Sequence, residues 1–361
     1  MTADTFFEHQ SPESAAKTDI VANFFAAWLN IIGPSSRGPL GYMELYAGPG
    51  RFADGATSTP IRVLETILTS PYAARFRVVL NEMDDRAADL LKTNVADLPN
   101  ISSLREAPIL TREEVDRDKA LVFLKHLGDF PAVLFVDPFG YKGVSRRLFA
   151  EYVSVGWGRD AILFFNYKRI NAALSNPEFT EHMGDVFGET RARALREELA
   201  SLHPHEREAR VRAAMEETLR DAGVKFIHRY DFEKRHDSLF FMSQSEKGLR
   251  VMKNIMKTRS TSDDSGVPSF SFSRSREKQF DLFGATRTPL DELRDDLLKR
   301  FAGQTMTFEQ IFRAHHPGTN FVEGNYRQVL LALEESGVIT TEPRNRRRGT
   351  FGPNVRVTFP K

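Results

Sequence analysis

The chain has 361 residues, 41% hydrophobic and 27% charged, with a net charge of +1 at neutral pH; this is the composition of a folded protein with room for more than one domain. Without cysteine it supplies no disulfide, thiolate nucleophile, thiolate zinc site or iron–sulfur ligand. No apolar run reaches the roughly 18 residues of a membrane span and residues 1–17 lack a signal-peptide core, so a cytoplasmic protein with no membrane association is expected, and its near-neutral balance confines any nucleic-acid surface to a local patch.

In chain order, residues 13–32 read as an amphipathic helix through Ile20, Phe24, Phe25, Trp28, Ile31 and Ile32. Apolar runs then predict strands at 42–46, 77–82, 101–105, 132–137 and 161–166, with helical patterns near 60–70, 85–95, 113–127 and 145–154. That alternation is the signature of a doubly wound, mostly parallel α/β sheet of Rossmann-like type. Residues 170–222 are charged and helix-rich, an insertion near the fifth strand. Segments 224–231 and 238–244 predict a closing antiparallel hairpin, followed by a short helix at 249–256. From Ser260 to Ser275 the composition shifts to Ser, Asp, Gly and Pro, which marks a linker. Helical patterns at 289–301, 308–315 and 325–336, then strands at 338–341 and 354–359, give the order of a winged helix-turn-helix. The expected domains are thus 1–258, a linker over 259–288, and 289–361.

Three strand ends carry chemistry. Met43-Glu44-Leu45-Tyr46-Ala47-Gly48-Pro49-Gly50-Arg51-Phe52 runs from a strand into a glycine turn, where the missing Cβ atoms let a nucleotide-like ligand approach the backbone. Val78-Val79-Leu80-Asn81-Glu82 ends in an acid placed to accept the hydroxyls of a ribose over that turn. Ala132 to Val136 is followed by Asp137-Pro138-Phe139-Gly140. There an acid and backbone carbonyls can accept from an exocyclic base amine while the aromatic stacks on the base, and the proline fixes the backbone. The histidines are scattered, with no metal-ligating spacing, so no metal is expected.

Together, Tyr46-Ala47-Gly48-Pro49-Gly50-Arg51, Glu82 and Asp137-Pro138-Phe139-Gly140 resemble class I S-adenosylmethionine-dependent methyltransferases. More narrowly, with Lys17, Phe164-Phe165-Asn166-Tyr167 and Gly248 to Met256, residues 13–256 resemble the three-Cys-motif partner family, and the C-terminal winged helix fits it. The resemblance implies S-adenosylmethionine as cofactor, held at Tyr46, Gly48, Gly50 and Glu82, while Glu106 reads either as a contact at the adenine edge or as a solvated acid. It makes Asp137, Pro138 and Phe139 the acceptor site, lined by Asn166 and Tyr167, for methyl transfer to an exocyclic base amine. It also implies a genomic partner with a three-cysteine motif of radical S-adenosylmethionine type, and an alternative role as that enzyme's non-catalytic, nucleic-acid-binding partner. One departure is that a single proline precedes the aromatic, where the usual amino-methyltransferase tetrad has two.

The wing loop Arg344-Asn345-Arg346-Arg347-Arg348-Gly349 is the clearest basic patch, and from Pro343 to Lys361 there are six Lys or Arg and no acid. Arginines on a wing reach phosphates and the third helix reaches bases. Arg344, Arg346, Arg347 and Arg348, with Asn325 and Arg327 at the helix start, are therefore the expected contacts to DNA or structured RNA.

Overall fold

A computed structural model of the chain describes residues 9–141, 143–262, 265–273, 288–343, 346–347 and 349–361, without the side chains of 117 and 118. It divides into two compact units, Met1–Ile255 and Met256–Lys361.

In the first unit, helix α1 (Pro12–Ser35) starts where Ser11 accepts from the Ser14 amide and Pro12 supplies a first-turn position with no N–H to satisfy. Its buried stripe, Ile20, Phe24, Phe25 and Trp28, packs on the sheet, with the Phe25 ring 5.4 Å from Tyr42 and 5.9 Å from Phe76. There follow β1 (Leu40–Leu45), α2 (Thr59–Leu68), β2 (Phe76–Asn81), α3 (Asp85–Ala96), β3 (Ile109–Thr111), α4 (Arg117–Leu127), β4 (Ala132–Val136), α5 (Arg146–Ser154) and β5 (Arg159–Asn166). A helical insertion comes next: α6 (Tyr167–Ser175), α7 (Thr180–Phe187), α8 (Glu189–Ser201) and α9 (Pro204–Asp221). The hairpin β6 (Phe226–Phe232) and β7 (Asp237–Ser243) and helix α10 (Glu246–Thr258) complete the run.

These strands lie in the order β3-β2-β1-β4-β5-β7-β6. The first five are parallel, and β7 runs antiparallel to both β5 and β6. Helices on both faces bury the central strands completely, which is why β4 reads as an unbroken apolar run, and β1 as one broken by Glu44, rather than as alternating strands. One expected element is displaced. Residues 101–103 form a 3₁₀ turn entered through Asn100 in the left-handed region (φ 63°), and the third strand is the three residues Ile109–Thr111.

The second unit contains the short strand β8 (Ser271–Phe272), then α11 (Pro289–Arg300), β9 (Thr305–Thr307), α12 (Phe308–His315), α13 (Glu323–Glu335), β10 (Thr340–Glu342) and β11 (Arg356–Thr358). Strands β10, β11 and β9 form an antiparallel sheet. The three helices close over a core that includes Leu293, Phe308, Phe312, Tyr326 and Val357, a winged helix-turn-helix. Strand β9 is an addition to the two strands expected from sequence.

Candidate functional site

Strand register sets three loops side by side. Leu45 pairs with Asn81 on one flank and Val136 on the other, and these are the last residues of β1, β2 and β4. The Tyr46 turn, Glu82 and Asp137 therefore leave the carboxyl edge of the sheet from one level. The chain order also reverses here, with β2 on one side of β1 and β4 on the other. An open α/β sheet forms its ligand crevice at such a point.

The turn is held in a conformation that L side chains rarely adopt: φ is 75° at Tyr46, 65° at Gly48 and 83° at Gly50. Both Tyr46 and Ala47 amides donate to the Asn81 carbonyl, at 3.0 and 2.8 Å. A Cβ on Gly50 would lie 3.1 Å from Ile61 and 3.2 Å from Leu91, so the packing is tight there and the dihedral favours glycine. The Gly50 carbonyl is fixed from Ser58 by its amide and hydroxyl, each at 2.9 Å, and that of Pro49 by the Asn94 amide group at 2.8 Å.

Glu82 is 5% exposed. Its Oε2 accepts from the Gly48 amide at 2.8 Å and its Oε1 from the Asp84 amide at 2.9 Å. Burial pushes its pKa up, and the amides of Asp84 and Gly48 oppose the rise. A carboxylate has about four acceptor positions, and with the Met83 amide also acting on it at least one remains. Met83, next along, is 57% exposed.

Across the row, Asp137 forms an ion pair with Lys17 of α1, whose ammonium lies 4.5 Å from the centre of the Phe164 ring. Phe139 is 47% exposed at the loop tip. Two acids not singled out by sequence reasoning join Lys17. Asp237 is the first residue of β7, opposite Asn166, and forms an ion pair with Arg235 at 3.0 Å. Burial raises it to about 6, against the pull of Arg235 and Lys17 and with the push of Asp137. Glu44, buried within β1, accepts from the Tyr42 hydroxyl at 2.6 Å, and its burial raises it well above the usual range. A charged residue inside an otherwise apolar strand is the signal that would have found Glu44. The hairpin's pairing, which brings Asp237 to this edge, leaves no local mark in sequence.

Glu106 sits elsewhere, while Asn166 ends β5 at the carboxyl edge. Glu106 precedes β3 and bonds Arg77 Nε at 2.6 Å near the start of β2, at the amino edge of the sheet. Its assignment to the adenine edge is corrected accordingly, because the strand expected before it is a turn. Asn166 caps α6 by accepting from the Arg169 amide at 3.0 Å, and Tyr167 is buried at 8% exposure.

In the winged helix, Asn325 is 3% exposed; its Oδ1 accepts from the Val322 amide at 3.0 Å and its Nδ2 donates to the Gly266 carbonyl at 3.3 Å. Burial removes it from reach of a base, correcting that expectation. Arg327 is tied to Glu323 and to the Phe351 carbonyl. Arg346 is folded onto Glu334, Thr341 and the Thr350 carbonyl. Arg347 is exposed, and Arg344 and Arg348 lie outside the described residues. His315 is a core residue whose Nδ1 is 2.7 Å from the Tyr326 hydroxyl. Among the described residues no cluster of metal-ligating side chains occurs, and no helix is long and apolar enough to cross a membrane.

Strand order, strand direction and the row of loops define a Rossmann-like sheet of the class I methyltransferase type, joined in one chain to a winged helix. Residues 269–346 match a family model described as a GMT-like wHTH domain, so the match begins inside the stretch expected to be linker. No curated protein matches the chain. Among solved structures, a Legionella pneumophila protein is 9% identical over 67% of this chain and 91% of its own, with a TM-score of 0.38. The human methyltransferase 10 domain containing protein is 12% identical over 63% and 83%, TM-score 0.33. Aeropyrum pernix fibrillarin, solved with natively bound S-adenosyl-L-methionine, is 13% identical over 61% and 76%, TM-score 0.32. These likenesses are faint, and the fold assignment stands on the strand order.

Proposed function

We propose that the protein is an S-adenosylmethionine-dependent methyltransferase acting on nucleic acid at an exocyclic base amine. The observation that carries this reading is the single row formed by the Gly48 turn, buried Glu82 and the Asp137-Pro138-Phe139 loop. Glu82 suits a ribose: its carboxylate is oriented by backbone amides and keeps acceptor capacity for a hydroxyl. Gly48 and Gly50 leave room for the methionine portion, and Met83 offers an apolar surface for the adenine. When bound, the cofactor supplies an electrophilic methyl group. Asp137 then accepts a hydrogen bond from the acceptor amine and orients its lone pair, and Phe139 stacks on the base. In-line displacement, in which the nitrogen–methyl bond would form as the sulfonium–methyl bond breaks and the amine proton leaves to solvent, asks little more than such alignment. Lys17 fixes the Asp137 carboxylate through Oδ2, and among the described residues no hydrogen bond holds Oδ1.

Affiliation with the three-Cys-motif partner family, and with it a radical S-adenosylmethionine partner enzyme and a cytoplasmic location, belongs to this proposal. A second reading, a non-catalytic partner that presents nucleic acid to that enzyme, draws on the same ion pair, because Lys17 already neutralises the acid required by the acceptor.

The test is calorimetric titration with S-adenosylmethionine, followed by transfer of a labelled methyl group to mixed RNA and DNA. Micromolar binding that is lost in Glu82→Ala, with transfer that is lost in Asp137→Ala, is expected. Binding without transfer to any nucleic acid selects the second reading, and absence of binding by the folded protein overturns the cofactor assignment.

A further inference from the structure

A cavity of the first unit lies in the helical insertion, away from the glycine turn. It is a groove of about 1220 Å³ between the start of α5 and the face of α7 and α8. Six arginines line it, Arg146, Arg147, Arg191, Arg193, Arg196 and Arg210, against four acids, Glu181, Asp185, Glu189 and Asp221.

Those arginines divide into two sets. Arg191 is held by Glu217 and Asp221, and Arg210 by Glu198 and Glu217. Arg196 donates to the Leu174 carbonyl at 2.7 Å and to the Thr180 hydroxyl at 3.1 Å. These three build the wall. Arg146 and Arg193 are exposed, and among the described residues neither forms an ion pair or hydrogen bond. Arg147 meets only Glu151, at 3.4 Å, with 57% of its side chain exposed. Arg146 reaches across the groove: its Nη1 would be 3.2 Å from a Cβ on Gly188. Gly188 is the N-cap of α8 and provides no side chain to cap that helix. A guanidinium thus sits against the electropositive start of a helix, with Glu189 of the first turn and Glu181 and Asp185 of the groove as the carboxylates beside it.

The groove continues toward the site already described. A smaller cavity of about 250 Å³, lined in part by Tyr141, Gly143 and His182, shares Ser145, Glu181 and Asp185 with it. Gly143 backs directly onto the Tyr46 hydroxyl, where a Cβ would collide with it. The two cavities lead from the loop after β4, which also carries Asp137 and Phe139, into the insertion.

We infer that this groove holds the phosphodiester backbone of the acceptor strand, with Arg146 and Arg193 as its phosphate contacts. The inference rests on the nucleic-acid reading above. Guanidinium forks match phosphate oxygens in pairs, and each phosphate bound displaces condensed counterions, which gives a salt signature. In the winged helix, by contrast, Arg327 and Arg346 are already engaged by Glu323 and Glu334.

The experiment measures affinity of the full chain for fluorescent 20-mers, single-stranded RNA, single-stranded DNA and duplex DNA, across a salt series. It compares wild type with Arg146→Glu/Arg193→Glu, with Arg146→Lys/Arg193→Lys and with Arg347→Glu in the wing. The expected result is a loss of at least about tenfold in the double charge reversal and a salt slope smaller by about 1.4 units on single strands or about 1.8 on duplex. The lysine pair should recover part of the affinity, and S-adenosylmethionine binding should persist as the control for folding. Which 20-mer loses most identifies the strand that the groove takes. Unchanged affinity in the double reversal, or loss confined to Arg347→Glu, overturns the groove and leaves the nucleic-acid reading standing. If wild type binds no 20-mer, or binds poly-glutamate instead, both the groove assignment and the nucleic-acid acceptor are overturned.

Discussion

The carboxyl edge of the sheet and the winged helix treat similar polar residues in opposite ways. At the sheet edge, Glu82 is buried but retains acceptor capacity beyond its backbone amides, and Met83 and Phe139 project at 57% and 47% exposure. In the winged helix, Asn325 caps its own helix, while Arg327 and Arg346 are committed to Glu323 and Glu334. The difference shows that residue type marks only the capacity for recognition. Whether that capacity is available depends on what the fold has already spent. A wing rich in arginine is not a phosphate surface if its guanidinium groups close ion pairs within the domain.

The largest effect should come from removing the acceptor acid. Asp137→Ala is expected to reduce methyl transfer by about 100-fold or more, the scale of a lost electrostatic contact at a reacting centre, with S-adenosylmethionine affinity within about twofold of wild type. Single-turnover transfer and calorimetry on one preparation separate the two. Transfer that persists removes Asp137 from the acceptor role. Glu82→Ala should act on binding instead, weakening the cofactor by about 10- to 100-fold. Two charge-assisted hydrogen bonds would be lost and the Gly48 amide left without its acceptor. Equal cofactor affinity in that variant would erase the distinction drawn for the sheet edge.

A smaller effect concerns stability. Asp237, raised to about 6 chiefly by burial, binds its proton more tightly folded than unfolded. Its stabilising contribution is therefore complete below the unfolded value near 4 and is lost as pH rises through about 6. Asp237→Asn should flatten that part of the stability profile and make the first unit about 2 kcal/mol more stable at neutral pH, read from urea melts at several pH values. A variant less stable than wild type at neutral pH would mean that Asp237's attraction to Lys17 and Arg235 outweighs its desolvation.

Much of this architecture could be read directly from sequence, for identifiable reasons. Buried parallel strands are apolar on both faces, so β1, β2, β4 and β5 stand out as runs, and the loops that end them carry Gly48, Glu82 and Asp137. The third strand failed because Ile101 and Leu104 suggest a strand while forming a turn, and the true β3 is three half-buried residues. With that strand misplaced, Glu106 moved from the wrong edge of the sheet to the side of Arg77. Pairing across distance was invisible: Lys17 and Asp137 are 120 residues apart, and nothing local announces their contact. Arg346 and Glu334, twelve residues apart across a turn, were hidden in the same way, and this is why Arg346 looked free.

That last pair provides the smallest and most discriminating prediction. Arg346 also donates to the Thr341 hydroxyl at 2.6 Å and to the Thr350 carbonyl at 2.8 Å, and its guanidinium lies 5.0 Å from the Phe351 ring centre. It therefore works as an internal strut of the wing. Burial pushes Glu334 up, but hydrogen bonds from Thr341 and Arg346 outweigh it and hold the acid below its usual value. A depressed acid stabilises the fold above its unfolded pKa and loses that contribution as pH falls through the folded one. Arg346→Ala should cost the second unit about 1 kcal/mol at neutral pH, and the penalty should shrink in acid as Glu334 protonates. Oligonucleotide affinity should stay unchanged, measured beside urea melts of the same variant. A variant that melts like wild type but binds nucleic acid more weakly would reverse the comparison, making Arg346 a contact residue and the wing the binding surface.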